Sequence, residues 1–302
     1  MNGIIFLNKP AGFTSFDAVA KMRGITKTRK IGHGGTLDPM ATGVLPILLG
    51  TAARVCDIVP ETNKRYTALI RLGITTDTQD ITGKILSTSD LTVTEADILS
   101  VLPQFTGNIS QTPPMYSAVR VGGKRLYDLA RKGLEIERPK RTIDIRSLDL
   151  LKIFPEKNEF ILDVRCSKGS YIRTLAADIG DTLGCGAVLA SLTRTEAFGY
   201  SLESCHSFQE LEEAAAKGTL RQFLIGVDNL FSFSPQYVLS EYDSKLHLNG
   251  VHINLSRLSD FPETDGFIRI YDGSGNFLSL SEIDRDLQQL KPVKYFFVRE
   301  NQ

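Results

Sequence analysis

One acid in this sequence sits in a loop that could present it to a bulky ligand: Asp38, within Gly32-His33-Gly34-Gly35-Thr36-Leu37-Asp38-Pro39-Met40-Ala41-Thr42-Gly43. Pro39 biases Asp38 towards extended backbone, and the glycines at 34, 35 and 43 permit a close approach. A lone carboxylate placed this way can attack or exchange a proton with a bound substrate. The same Asp-Pro pair can also close an Asx turn with its own loop, and His33 is open in the same way between a site role and a structural one. Arg173 falls in the first turn of a helix after a strong strand. Beside Asp38 it would hold the carboxylate ionised and orient it through charge-assisted hydrogen bonds; elsewhere it would be an ordinary surface arginine. Tyr66 and Tyr171, next to Lys64-Arg65 and Lys168, are stacking candidates for a base or simply core aromatics. Other chemistries lose support. Gly32-x-Gly34-Gly35 is not a dinucleotide fingerprint, neither Gly123-Lys124-Arg125 nor Lys168-Gly169-Ser170 completes a P-loop, and there is no serine elbow, H-E-x-x-H or C-x-x-C pair.

The elements that must hold these residues can be read from periodicity. Ile4 to Leu7 is a short strand, and Thr14-Ser15-Phe16-Asp17 has capping-box spacing ahead of a helix. Gly32 to Gly43 is too rich in Gly and Pro for a regular element and reads as an ordered loop that leans on the core, followed by the apolar run Val44 to Leu49. Tyr66, Ala68, Ile70 and Leu72 alternate along a strand, and Thr94 with Asp97 caps a helix to about Phe105. Lys124 to Arg131 is a short helix stopped by Gly133. Phe160 to Cys166 is the best strand; the helix after it takes Ser170 as N-cap, has Leu175, Ile179 and Leu183 four apart, and ends at Gly184 and Gly186. Ser207 to Glu210 caps another helix, and Ser232 to Pro235 reads as a linker. Beyond it, Phe267 to Tyr271, Phe277 to Leu280 and Tyr295 to Val298 form a small antiparallel β unit.

The length of 302 residues suggests one large or two smaller domains, and 42% hydrophobic with 23% charged residues excludes disordered and disulfide-scaffold classes. No apolar run reaches bilayer length, so neither signal peptide nor membrane span is expected, and four scattered cysteines fit reduced thiols in the cytoplasm. The net charge of zero hides a split: residues 201–302 carry 9 basic and 15 acidic side chains, leaving 26 against 20 for residues 1–200. Lys21, Arg23, Lys27, Arg29 and Lys30 fall within ten residues without an acid. A second cluster, Arg120, Lys124, Arg125, Arg131, Lys132, Arg138, Lys140 and Arg141, is diluted only by Asp128, Glu135 and Glu137. Each run alone is a solvated face; two of them flanking candidate chemistry suit a phosphate backbone.

Five segments, in order, resemble the bacterial tRNA pseudouridine-55 synthases, the B-type branch of pseudouridine synthases: Leu7 to Pro10, Gly32 to Leu45, Lys64 to Tyr66, Pro114 to Ala118, and Cys166 to Thr174. The resemblance runs from about residue 3 to 230 and weakens beyond 235, where Arg269 to Glu282 is similar to a small β-barrel of the PUA type. It implies an α+β fold, with a mixed, mainly antiparallel sheet flanked by helices in a catalytic domain over 1–232 and a small β domain over 233–302. By resemblance, Asp38 is the catalytic aspartate, Tyr66 stacks on the target base and Arg173 pairs with Asp38. His33 stands near a flipped nucleotide, Lys9 supports the loop, Tyr171 and Leu192 line the pocket, and Gly35 and Thr36 border the substrate. Residues of about 118–141 correspond to a thumb-like segment closing on the T-arm; Lys21, Arg23, Arg29, Lys30, Lys124 and Arg125 are the RNA-backbone candidates. Gly35-Thr36 and Asn8 depart slightly from the usual residues. The implied reaction, uridine to pseudouridine, is redox-neutral and calls for no cofactor and no metal. The carboxylate could attack C1′ or C6 or abstract the 2′ proton, and the sequence leaves these open. A monomer with tRNA as its partner, and no obligate protein partner, is expected. The competing readings are a non-catalytic tRNA-binding or folding factor, a synthase with broader RNA targets, and a guide-RNA-dependent synthase of the kind that works inside multi-protein particles.

Overall fold

The computed structural model describes residues 1–59, 63–117 and 119–297. Ala118, at the end of one motif and the start of the thumb-like segment, and Val298, at the end of the last expected strand, lie outside them, as does the end of the 233–302 unit.

The chain opens with strand β1 (Gly3–Lys9), helix α1 (Ser15–Thr26), β2 (Ile31–His33) and β3 (Thr42–Leu49). It continues through β4 (Lys64–Leu72), β5 (Ile74–Thr76), β6 (Ile85–Thr88), helix α2 (Glu95–Val101) and β7 (Gly107–Gln111). The thumb-like segment holds β8 (Arg120–Val121), β9 (Lys124–Arg125) and α3 (Leu126–Ala130). Then come β10 (Arg141–Phe154), β11 (Glu159–Cys166), α4 (Ile172–Thr182), β12 (Ala187–Ala197), β13 (Tyr200–Ser201) and α5 (Phe208–Ala216). The remainder comprises β14 (Gln236–Val238), α6 (Glu241–Leu248), β15 (Ile253–Asn254), β16 (Ile268–Tyr271), β17 (Phe277–Asp284) and β18 (Gln289–Tyr295).

A nine-stranded sheet runs β1-β3-β12-β4-β11-β10-β7, with β2 on β3 and β13 on β12. Only the β3–β12 pairing is parallel, so the sheet is mixed and mainly antiparallel. Alternation on β4 and β11 buries Tyr66, Ala68, Ile70 and Leu72 with Phe160, Leu162, Val164 and Cys166, as their period of two requires. Helices α1, α2, α4 and α5 cover that face. Capping boxes begin α1, α2 and α5 at Thr14, Thr94 and Ser207.

Several local expectations are corrected. The loop expected over Gly32 to Gly43 is shorter at both ends, because Gly32 and His33 belong to β2 and Thr42 and Gly43 open β3, which pairs with β1 from Gly43 to Leu49; Pro46 is accommodated opposite Phe6, where the carbonyl of Pro46 accepts from Gly34 N just past β2. The N-cap of α4 is Tyr171 rather than Ser170, whose hydroxyl donates to the Ser167 carbonyl instead. The helix expected over 124–131 shortens to α3 because Lys124 and Arg125 pair with β8, and the one after Thr94 tightens to a 3-10 turn at Leu102–Phe105. In the last third β14 and β16 are parallel, the last described strand is Gln289–Tyr295 rather than 295–298, and α6, capped by Ser240, packs on the five-stranded sheet β14-β16-β17-β18-β15. No helix among the described residues is long and apolar enough to cross a membrane.

Candidate active site

The loop between β2 and β3 is fastened from three sides. Ser15, at the start of α1, receives Leu37 N at 2.8 Å and donates to its carbonyl at 3.1 Å. Lys9, with no exposed surface at the end of β1, donates from Nζ to the carbonyls of Phe13 (2.7 Å), Pro10 (2.9 Å) and Pro39 (3.4 Å). Burial drives the Lys9 pKa down to about 8, against the opposing pull of Asp38. On the third side the guanidinium of Arg194 reaches the carbonyls of Gly35 and Thr36. Gly34 cannot be replaced freely, since a Cβ there would meet the Phe198 ring at 2.4 Å.

Held in this frame, Asp38 does not cap its own loop. Arg173 grips it side-on, Nε to Oδ2 at 2.8 Å and Nη2 to Oδ1 at 3.0 Å. Arg173 is itself fixed: Nη2 also donates to the Tyr116 carbonyl at 2.8 Å and Nη1 to the Thr78 carbonyl at 3.1 Å, with Asp80 Oδ2 3.7 Å from Nη1. The arginine side chain is 6% exposed and the Asp38 side chain 32%, so the carboxylate remains reachable while its partner does not. Burial raises the Asp38 pKa above the ordinary carboxylate value, and the Asp80 charge adds to the rise; Arg173 and Lys9 oppose it without reversing it. Asp80 is buried and accepts from the Thr78 hydroxyl and from the backbone and hydroxyl of Thr82. The start of α4 is set by Gln111, which accepts from Tyr171 N at 2.8 Å and donates to the Tyr171 carbonyl at 3.0 Å.

Tyr66 lies buried on β4, directly across from Val164 on one side and Arg194 on the other. Burial raises its hydroxyl pKa and the Arg194 charge pulls it back. Leu192 is buried on β12 opposite Ala68, next to Tyr66 on the same face. His33 ends β2 with Nδ1 buried and unpartnered among the described residues; burial, then Arg194, lowers its pKa. Thr36 is exposed, and Gly35, at φ +117°, sits where a Cβ would come within 3.5 Å of Lys64 Nζ and 3.6 Å of Arg194 Nη1.

The basic candidates scatter. Lys124 and Arg125 are exposed on β9 and, with Arg120, Arg131, Lys132 and Asp128, line a cavity in the thumb-like segment. Arg23 and Arg29 are exposed; Lys30 lines a groove with Gly50, Thr51 and Arg54. Lys21 is engaged elsewhere, 3.1 Å from Glu212 and over the Phe208 ring. Sequence reasoning missed Asp80, Lys64 and Arg194 as parts of the site. Lys64 was within reach, in the Lys64-Arg65-Tyr66 segment; its ammonium is pulled down to about 8, first by burial and then by Arg194. Among the described residues no group of His, Cys, Asp and Glu could hold a metal ion.

Comparison with known proteins gives the family of the chain. Residues 23–172 match the model of the TruB family pseudouridylate synthase N-terminal domain, and residues 173–232 that of the tRNA pseudouridylate synthase B C-terminal domain. A tRNA pseudouridine synthase B of Lachnoclostridium phytofermentans is 44% identical over 307 residues, spanning 98% of this chain and 100% of that protein. One from Thiobacillus denitrificans is 41% identical over 284 residues, 94% of this chain and 93% of that one. Among solved structures, an H/ACA ribonucleoprotein bound to a substrate RNA containing 2′-deoxyuridine superposes with TM-score 0.72 at 23% identity, covering 99% of this chain and 86% of that chain. A Cbf5-Nop10-Gar1 complex gives TM-score 0.70 at 24% identity over 98% and 85%; both likenesses are of fold. The chain belongs to the TruB family of pseudouridylate synthases.

Proposed function

We propose that this enzyme converts the uridine at position 55 in the T-loop of tRNA to pseudouridine, with Asp38 as the catalytic carboxylate. The observation that carries the assignment is the side-on grip of Arg173 on a carboxylate that stays one-third exposed in a loop pinned by Lys9, Ser15 and Arg194. The reaction breaks the bond from N1 to C1′, turns the uracil and joins C5 to C1′; C5 loses a proton and N1 gains one, so nothing is oxidised or reduced. The chain has only to extract the nucleotide, supply one carboxylate and hold the freed base. Extrusion from a folded loop costs a few kcal/mol, part of which stacking on Tyr66 would offset. Asp38 acts as an anion, and the fixed guanidinium of Arg173 lowers the cost of keeping it charged where water is scarce.

The catalytic unit in this reading is residues 1–232, with 233–302 as a smaller β unit, and the basic thumb-like segment of about 118–141 closes on the T-arm backbone. Lys9 and Arg173 position Asp38, while His33, Tyr171, Leu192, Gly35 and Thr36 border the nucleotide. The protein works as a monomer in the cytoplasm, where its substrate is. The test uses a T-arm stem-loop tritiated at C5 of its uridines, incubated with purified protein and no added metal or nucleotide. One equivalent of tritium is released by the wild type and none by Asp38→Asn; binding without release would instead support a folding factor.

A further inference from the structure

Arg194 is the bulkiest side chain without exposed surface among the described residues. Its backbone presses on β3: a Cβ at Gly43 would lie 2.2 Å from the Arg194 carbonyl oxygen. From there the guanidinium turns back over the loop and donates to three main-chain carbonyls, Nε to Val44 at 2.7 Å, Nη2 to Gly35 at 3.1 Å and Nη1 to Thr36 at 3.3 Å. Across the strand pair it faces Tyr66. Arg65, Arg71 and Arg173 each meet a carboxylate; among the described residues none is in ion-pair contact with Arg194. A fully dehydrated guanidinium matched only by neutral dipoles is expensive to bury, and fastening a loop does not by itself require a charge there. The charge is felt throughout the pocket, where it offsets part of the burial-driven rise of the Tyr66 pKa and adds to the lowering of Lys64 and His33.

We propose that Arg194 is a positioning residue for the isomerisation. It ties the Gly35-Thr36 segment to β12 at the position paired with Tyr66, and so sets the gap between the Tyr66 ring and the Asp38 carboxylate in which the uracil must turn. Its charge, balanced by no carboxylate, also favours the pocket's holding the uracil while that base carries the electron pair of the broken N1–C1′ bond. That pair is returned when C5 bonds to C1′, so the demand exists only between the two bonds. The inference rests on the roles given above to Asp38 and Tyr66.

The experiment measures single-turnover tritium release, tRNA affinity and thermal midpoint for wild type, Asp38→Asn, Arg194→Lys, Arg194→Gln, Tyr66→Phe and the Arg194→Lys/Tyr66→Phe pair. Arg194→Lys keeps the charge and loses the fork; its rate per folded molecule should fall about tenfold, and that of Arg194→Gln on the order of 10²-fold, with tRNA affinity within about threefold of wild type. Because Arg194 acts through Tyr66, Tyr66→Phe should cost less in the Arg194→Lys background than alone. If Arg194→Gln does not fold, Arg194→Lys and the pair carry the test. Wild-type rates in folded Arg194→Lys, or strict additivity of the pair, would overturn the proposal while leaving the role of Asp38 intact. Full activity of Asp38→Asn would overturn both.

Discussion

Two buried polar networks sit in the two halves of this molecule, and they are built from opposite materials. In the N-terminal part Arg173 lies between Asp38 and Asp80, with the Thr78 and Tyr116 carbonyls on its remaining donors: charged groups, one of them reachable from outside. In the C-terminal half His247, with no exposed surface, meets Ser279 at 2.6 Å, Ser279 meets Ser281 at 2.9 Å, and Tyr295 donates to the His247 carbonyl at 2.7 Å. Burial, then the charge of His252, pulls the His247 pKa down to about 4, so this second network is neutral. A neutral set of this kind costs little to enclose where its hydrogen bonds are made, though His247 Nδ1 has no partner among the described residues; enclosed charges cost far more.

The contrast can be broken at five points. Asp38→Asn should reduce turnover on the order of 10³-fold or more without changing the thermal midpoint, measured by tritium release and melting; loss of the fold instead would make Asp38 structural. Arg173→Lys keeps a cation but gives up the side-on fork, and turnover should drop roughly 10²-fold with tRNA affinity preserved. Removing the cation altogether, as in Arg173→Gln, should move the acid limb of the pH–rate profile upward, because the Arg173 charge opposes the rise of the Asp38 pKa; Asp80→Asn, removing a charge that adds to the rise, should move it downward.

For His247 the folded pKa of about 4 lies below the unfolded 6.5, so the unfolded chain takes up the proton first. Stability is then complete above about pH 6.5 and is lost as the pH falls towards 4, by on the order of 1–3 kcal/mol. Urea unfolding across that range should show a steeper slope in the wild type than in His247→Asn, which keeps activity at neutral pH. The smallest effect belongs to Ser279→Ala, which strands the His247 ring nitrogen and should cost about 1–2 kcal/mol at neutral pH.

How much of this was legible depended on whether a side chain obeyed the period of its element. Tyr66 and Cys166 followed simple alternation, and the three capping boxes announced their helices. Asp38 was marked by Pro39 and the surrounding glycines, and Arg173 by its place after β11, though their contact came from resemblance. Arg194 hid because β12 carries register shifts at Leu189/Ser191 and Arg194/Glu196, which break the alternation that would have flagged a charged residue pointing inward. The 14-residue β10 is interrupted the same way, at Ile145/Ser147 and Leu150/Lys152. Asp80 resembled any turn aspartate until the fold brought α4 against it. Val44 to Leu49 does not announce itself as a strand because Pro46 interrupts its pattern.

One apolar cluster joins the two halves: Val44, Leu48, Ala52 and Val55 from the segment after the Asp38 loop pack with Leu280 and Phe296 from the C-terminal sheet. Thr51 and Arg54 donate to the carbonyls of Phe296 and Tyr295 across the same seam. On a ribosome these partners emerge far apart in time. Leu280 leaves roughly 230 residues after Leu48, which at about 5–20 residues per second is on the order of tens of seconds. For that interval β3 can already pair with β1, yet part of its outer face waits uncovered, a surface for chaperones during synthesis that closes only when the C-terminal sheet arrives.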